Sequence, residues 1–443
     1  MSIEKRRVAI ACQGGGSHTA FTAGALSRLL QPDVLRDHRI VGLSGTSGGA
    51  ICAAIAWSAL LHDRPEDAER LLRRFWAANS ASSWPERVLN TMVLWGSRIA
   101  ETVTLPTTSP YQNPGAGWAS EQLRRLIEDA VDLAADQQYA EAAAQAGLGP
   151  PVLLFGAVDV KNGRFRTFDS REGELSTEAL LASAAIPTIF RSVEIDQRLY
   201  WDGLFSQNPP VHQLIDPPSG PRPDPRPDAL DSRADELWVL QVNPSDLDAE
   251  PTLYGDIETR RNELAGNLSL RQELRFIEQI DRWRRTGWVD PTKFKHITVR
   301  ILEMRRTPRT QAFGYASKLN RDPSFIAELI DQGQTQAQEQ IEALRFEQAW
   351  NDEDLGPLMD HFAPGAMVSS THPLAPLAPT EDRDRIRAFF EDFGLQVETS
   401  RTRLCKDGAH WTVQASRDGG IQARVRAHFV EGQVDSLTVT PSL

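Results

Sequence analysis

A chain that runs Val41-Gly42-Leu43-Ser44-Gly45-Thr46-Ser47-Gly48-Gly49-Ala50 has few local ways to fold. The apolar approach, Arg39 to Leu43, reads as a strand, and Ala50 to Leu61 is a run of good helix formers. Only a sharp turn fits between them. Gly45 and Gly49 let that turn close, because a side chain there would collide with neighbouring backbone. The turn pushes the Ser47 hydroxyl clear of the sheet and aims it near a helix N-terminus. A Gly-x-Ser-x-Gly pentapeptide presents a nucleophile only in this strand–turn–helix setting. Short Gly/Ser pentapeptides also arise in plain loops, so the flanking elements carry the argument.

A second glycine cluster comes earlier. Val8 to Cys12 reads as a strand apolar on both faces, as in a parallel sheet. Gln13-Gly14-Gly15-Gly16-Ser17-His18 follows, then a helix from about Thr19 to Leu30. Glycines between strand and helix expose N–H groups beside the positive end of a helix dipole, a place for an anion. Two anions are candidates: a phosphate, or the oxyanion of an acyl-transfer intermediate. A dinucleotide loop needs glycine at the sixth position from Gly14, which is Thr19, and no Gly-Lys-Ser/Thr follows for a P-loop. The oxyanion remains, beside a plain structural turn.

The chain has 443 residues, enough for two or three domains. Its net charge of −12 argues against phosphate-driven nucleic-acid binding and gives no attraction to anionic lipid, so any membrane contact is expected to be apolar. Cys12, Cys52 and Cys405 are odd in number and far apart, which fits no disulfide framework and no metal spacing. Met1 to Arg7 lacks the apolar core of a signal peptide, and no stretch reaches the length of a membrane span. The expected location is the cytoplasm, with peripheral membrane contact as an option.

Further along, residues 63–84 read as an amphipathic helix with Leu71, Leu72, Phe75 and Trp76 on one side. From Trp84 to Trp118, apolar bulk is interrupted by prolines, which suits a lid or a channel wall as well as ordinary packing of a long loop. Val152 to Val160 is a strand, Asn162-Gly163 a hairpin turn, and Arg164 to Phe168 the return. Leu199 to Gly203 is a short strand ending in Asp202, an acid placed to meet a partner, although Asp-Gly alone is usually a turn. A proline-rich exposed loop spans 216–235, a long helix runs from Ile257 to Trp283, and His296 to Leu302 is a strand. Arg305-Arg306-Thr307-Pro308-Arg309 reads as a solvated loop, with a phosphate head group as the sharper alternative. A polar helix, Asp331 to Leu344, closes this unit. The remainder has helices first and then alternating strands, an α+β pattern that marks a second domain.

Together these features resemble the patatin-like phospholipase family. Gly14-Gly15-Gly16 resembles its oxyanion-hole motif, Gly45-Thr46-Ser47-Gly48-Gly49 its nucleophile elbow and Asp202-Gly203 its dyad aspartate. The segments Ala182 to Phe190 and Asn208-Pro209-Pro210-Val211 resemble those flanking that aspartate. His18 stands where the family usually has Arg or Lys, Thr19 where it has Gly, and Leu204 where Gly or Ala is common. The tail from about 340 resembles the polyketide-cyclase-like cone shared with nuclear transport factor 2, which serves as small enzyme, ligand pocket or dimerisation module.

The resemblance implies a three-layer α/β/α fold with a mainly parallel sheet over 1–335 and a small α+β cone over 340–443. It implies a serine lipid acyl hydrolase of phospholipase A or lysophospholipase type. Ser47 attacks, Asp202 is the base, and Gly14, Gly15 and Gly16 hold the oxyanion, with no metal or other cofactor. An aspartate suffices as base only if desolvation raises its pKa, and Tyr200, Trp201 and Leu204 supply apolar neighbours. The implied partners are a lipid or acyl ester, no nucleic acid, and a second copy through the tail. A Ser47–Asp202–His212 triad is the rival within enzymes, and a non-catalytic lipid-binding protein the rival outside them.

Overall fold

The computed structural model describes residues 5–84, 86–88, 90–92, 94, 109–187, 189–215, 234–247, 249–290, 294–312, 314–352, 355–373, 375–393, 396–405, 408–416, 423–430 and 432–441. Half of the apolar stretch after Trp84, including Trp95 and Pro106, and nearly all of the proline-rich loop lie outside them.

The first strands are β1 (Arg6–Cys12), β2 (His38–Gly45) and β3 (Val152–Asp159). With β7 (Glu236–Gln241) and β8 (Thr298–Glu303) they form a parallel sheet in the order β8-β7-β1-β2-β3. Successive side chains of β1 serve opposite faces. Val8, Ile10 and Cys12 join one buried cluster, while Ala9 and Ala11 join another with Leu270, Leu274 and Ile277 of the long helix Tyr254–Arg285. Helices Ala20–Leu29, Gly48–Leu61 and Pro323–Asn351 cover the first face. The result is the expected mixed α/β architecture with helices on both sides of the sheet.

Three antiparallel strands extend it: β4 (Phe165–Asp169), β5 (Val193–Ile195) and β6 (Arg198–Asp202). Their register places the site. β4 occupies one edge of β3 along Leu154–Val158. On the other edge, β2 pairs with β3 as far as Phe155, opposite Gly45, and β6 takes over from Ala157, opposite Asp202. The parallel β2 and the antiparallel β6 therefore approach each other head-on, with only Gly156 between their ends. Ser47 and Asp202 are neighbours for that reason, although 155 residues separate them in the chain.

The expected two-residue turn at Asn162-Gly163 is a longer loop. Gly163 donates its N–H to Asp159 O, and Asp159 donates its own to Arg164 O. The helix expected from Thr19 opens with a 3-10 turn, Gly16–Thr19, because Gly16 sits at φ +59 and the Thr19 hydroxyl donates to its carbonyl.

A second, smaller unit follows. Its strands are β9 (Phe362–Ser370), β10 (Leu377–Thr380), β11 (Gln396–Cys405), β12 (Gly408–Ser416), β13 (Ala423–Val430) and β14 (Gln433–Pro441). Among themselves these strands pair antiparallel except β14 with β9. β13 alternates buried and exposed along its whole length, as its sequence predicts. Two features tie this unit to the first. β11 pairs in parallel with β8, so fourteen strands form one sheet. One helix, Pro323–Asn351, replaces the two shorter ones expected, since no helix breaker stands between them, and the boundary at 335–340 falls inside it. Its first half crosses Ala20–Leu29, where a Cβ on Gly24 or Gly333 would overlap the partner helix backbone. Its last turns set Phe346 and Trp350 against Phe362 and Phe390.

Candidate active site

Ser47 stands between the end of β2 and the first turn of helix Gly48–Leu61, at φ 57 and ψ −132. Left-handed φ on a non-glycine residue costs on the order of 1–3 kcal/mol and persists only where its surroundings over-determine it. Here they do. The Ser47 N–H donates to the carbonyl of Ser183 at 3.1 Å and to its hydroxyl at 3.2 Å, and the Ser183 hydroxyl in turn donates to Gly156 O. A Cβ on Gly45 would meet Ala50 backbone at 2.5 Å, and one on Gly49 would meet Cys12 O at 2.5 Å. Both elbow glycines are therefore required by close approach, as the sequence reading expects.

Asp202 ends β6 and is fully buried. Its Oδ1 accepts the Leu204 N–H at 2.8 Å. Burial pushes its carboxyl up to about 7, and hydrogen bonding from Leu204 and from the Ser47 side chain offsets only part of that. Ser47 thus faces the carboxyl, yet Oδ2 has no partner at full hydrogen-bond geometry. Long contacts of this kind in a free site tighten when substrate arrives. Gly203, next in the chain, packs so closely on Gly156 and Thr46 that no side chain would fit.

The glycine loop lies against the elbow. A Cβ on Gly14 would sit 2.6 Å from Thr46 O and 3.0 Å from Ser47 Cβ. The three glycines do different work. Gly14 donates its N–H to Asn208 Oδ1 at 2.8 Å, so that proton is committed. Among the described residues, no acceptor takes the N–H of Gly15, Gly16 or Gly48. Gln13 anchors the loop from behind. Its Oε1 accepts from the Val242 and Asn243 N–H groups, and its Nε2 donates to Gly266 O and Asn267 Oδ1. His18 is buried with Nε2 2.8 Å from the Ser317 hydroxyl. Burial, with the charges of Lys318 and Arg306, pushes its pKa down to about 3, so the ring is neutral.

A cavity of about 270 Å³ opens on Gly16, Ser47 and Gly48. Its far wall is apolar: Ile51, Phe75, Trp76, Leu126, Ile189 and Phe190. Trp118, from the stretch expected to be lid or channel wall, lines it while remaining 63% exposed.

Sequence reasoning passed over Asn208, Ser183 and Gln13, whose polar side chains hold the reacting loops by bonds across the fold. The signal for Asn208 lay in its segment's family resemblance. His212 is elsewhere occupied: its half-exposed ring turns to Gln207 at 3.4 Å and Glu273 at 3.7 Å, which disfavours the triad. The arginine run after β8 is a half-exposed loop that enters a short helix, and its arginines are ion-paired. Arg305 pairs with Glu339, Arg306 with Glu263, and Arg309 with Asp322 and Glu328. Among the described residues, no three His, Cys, Asp or Glu side chains cluster to hold a metal, and no helix is long and apolar enough to cross a membrane.

Comparison with known proteins finds similarity to solved structures and to one family. About 24% of the chain is similar to an NTF2-like protein from Cytophaga hutchinsonii, at 16% identity over 89% of that chain with a TM-score of 0.21. A SnoaL-like protein from Burkholderia thailandensis is similar at 22% identity over 98% of its chain, TM-score 0.22, again covering 24% of this one. No curated protein matches. Residues 10–215, which include Gly14 to Gly16, Ser47 and Asp202, match the family described as patatin-like phospholipase. The part of the chain that holds this site is thus a patatin-like phospholipase domain, of a lipid acyl hydrolase family.

Proposed function

We propose that the protein is a serine lipid acyl hydrolase of the phospholipase A or lysophospholipase type, working through a Ser47–Asp202 dyad. One observation carries the reading. Ser47 is held at positive φ at the head of its helix, against a fully buried aspartate whose carboxyl titrates at about 7.

Asp202 takes the proton from Ser47 Oγ as that oxygen attacks the ester carbonyl. A positioned base contributes roughly 10²–10⁴ in rate, most effectively when its pKa lies near the working pH. The N–H groups of Gly15, Gly16 and Gly48 receive the oxyanion, each such donor being worth on the order of 3 kcal/mol. Gly14, tied to Asn208, keeps the cradle in place. Protonated Asp202 then returns its proton to the leaving alkoxide. Water attacks the acyl-serine with Asp202 as base again, and the fatty acid leaves. The apolar cavity beside Ser47 suits the acyl chain. Trp118, exposed at that cavity, supports apolar peripheral contact with a membrane by a cytoplasmic enzyme.

A fluorophosphonate probe tests this. It is expected to label the full chain and not Ser47→Ala, and the full chain is expected to release fatty acid from a lysophospholipid. A folded protein that stays unlabelled and releases none favours the non-catalytic lipid-binding alternative.

A further inference from the structure

A second cavity, of about 310 Å³, backs onto the first. The two share Lys318, and His18 of the second follows directly on Gly16 and Ser17 of the first. Its walls come from residues 244–318 apart from His18, beyond the matched patatin-like segment. Tyr315, on its wall, has its phenol pushed up by burial and then by the charge of Asp202.

Its charges are uneven. Arg260 and Arg306 both bond to one buried carboxylate, Glu263. Lys318 has none. Its Nζ donates to Asn243 Oδ1 at 2.6 Å and Asn262 Oδ1 at 2.8 Å, both neutral amides, and lies 5.7 Å from the centre of the Tyr315 ring. Among the described residues no carboxylate forms an ion pair with it, and Glu263 acts on it only at longer range. The inner wall thus carries three cations against one carboxylate, while the other lining acids, Glu250 and Asp256, stand exposed at the rim. An ammonium has three donors, and a desolvated charge normally finds a counter-ion. Burial lowers Lys318 to about 8, which leaves it mostly charged at neutral pH.

We propose that this second cavity receives the leaving alcohol of the substrate and that Lys318 reads its charge, selecting an acyl ester that bears a phosphate over the neutral acylglycerol of the same chain. This rests on the hydrolase reading above. The acyl chain lies in the apolar cavity, the ester reaches Ser47, and the phosphate sits against Lys318 with Arg306 behind it. Lys318 is a specificity residue and touches none of the reacting atoms.

The test uses the full chain carrying Ser47→Ala, so that binding is read without turnover. Affinities are measured by calorimetry for 1-lauroylglycerol 3-phosphate, 1-lauroylglycerol and glycerol 3-phosphate, each below its micelle concentration. The phosphate ester is expected to bind at least about ten-fold tighter than the neutral lipid. Adding Lys318→Met should bring the two within about two-fold of each other, and Lys318→Arg should restore most of the preference. Equal affinities with Lys318 intact overturn the proposal, as does an undiminished preference in Lys318→Met. Glycerol 3-phosphate binding as tightly as the acyl ester overturns the leaving-group assignment and leaves a free-phosphate site. Should Lys318→Met fail to fold by its melting curve, Lys318→Gln and the comparison with Lys318 intact still decide. If the preference holds but the unmodified chain hydrolyses neither lipid, the hydrolase reading falls and the charge-reading cavity stands.

Discussion

At the scale of single residues, the site depends on a carboxylate held where it is reluctant to ionise. Asp202 titrates at about 7, against an ordinary value of 3.8. As the base it must be ionised, so kcat/KM for a neutral acyl ester should rise with pH and level off above about 7. The same shift has a stability consequence of opposite sign. The folded state binds the proton more tightly than the unfolded state does, so folding loses stability as pH rises from about 4 towards 7. Asp202→Asn should therefore be more stable than the parent at pH 8, by up to roughly 4 kcal/mol at 1.36 kcal/mol per pH unit. Equal melting midpoints at pH 8 would contradict the raised pKa. Asn208 offers a second test at this scale. Asn208→Ala frees the Gly14 N–H and loosens the loop, and small misplacements of this kind cost about 10² in rate. Fluorophosphonate labelling of Ser47 should slow by that order while the fold persists; an unchanged labelling rate would show that the loop holds itself.

At the scale of elements, two contacts bear most weight. Helices Ala20–Leu29 and Pro323–Asn351 cross with backbone touching backbone at Gly24 and Gly333. Gly24→Ala should destabilise by at least the ~1–3 kcal/mol typical of overpacking, read by chemical denaturation, whereas Gly117→Ala, with open space around it, should be neutral or better. The other contact is a buried ion network. Arg300 on β8 donates to Glu236 on β7 and to Glu347 on the long helix. Burial alone would raise the Glu236 carboxyl, but Arg300, with the Trp238 N–H, holds it well below the usual range. Arg300→Met strands the buried Glu347 and leaves Glu236 only Arg6 and the Trp238 N–H, and should cost about 3–5 kcal/mol in the melt. The glycine motifs are legible in the chain because each answers a local clash. Gln13, Asn208 and Lys318 are not, since each acquires its role only by meeting a group far along the polymer: Gly14 lies 194 residues from Asn208.

At the scale of the whole molecule, the two units are one mechanical body. β8 pairs with β11, and the Pro323–Asn351 helix contributes to both cores. The change from alternating α/β to α+β grammar is visible in the sequence. The seam is not, because strand pairing between distant segments leaves no periodic trace in either one. Cutting after residue 340 would halve the helix and bare the β8 edge, an invitation to aggregation. The intact chain should therefore unfold in one calorimetric transition, and a 1–340 fragment should be insoluble or markedly less stable. Two separate transitions, or a fragment as stable as the parent, would mean that the units fold alone.

The dyad itself is tested most directly by the kcat/KM of purified, folded Asp202→Asn for an acyl ester. Removing the base while leaving its shape should lower kcat/KM by at least about 10², the least that a positioned base contributes. Hydrolysis at the parent rate would contradict a reaction driven by Asp202.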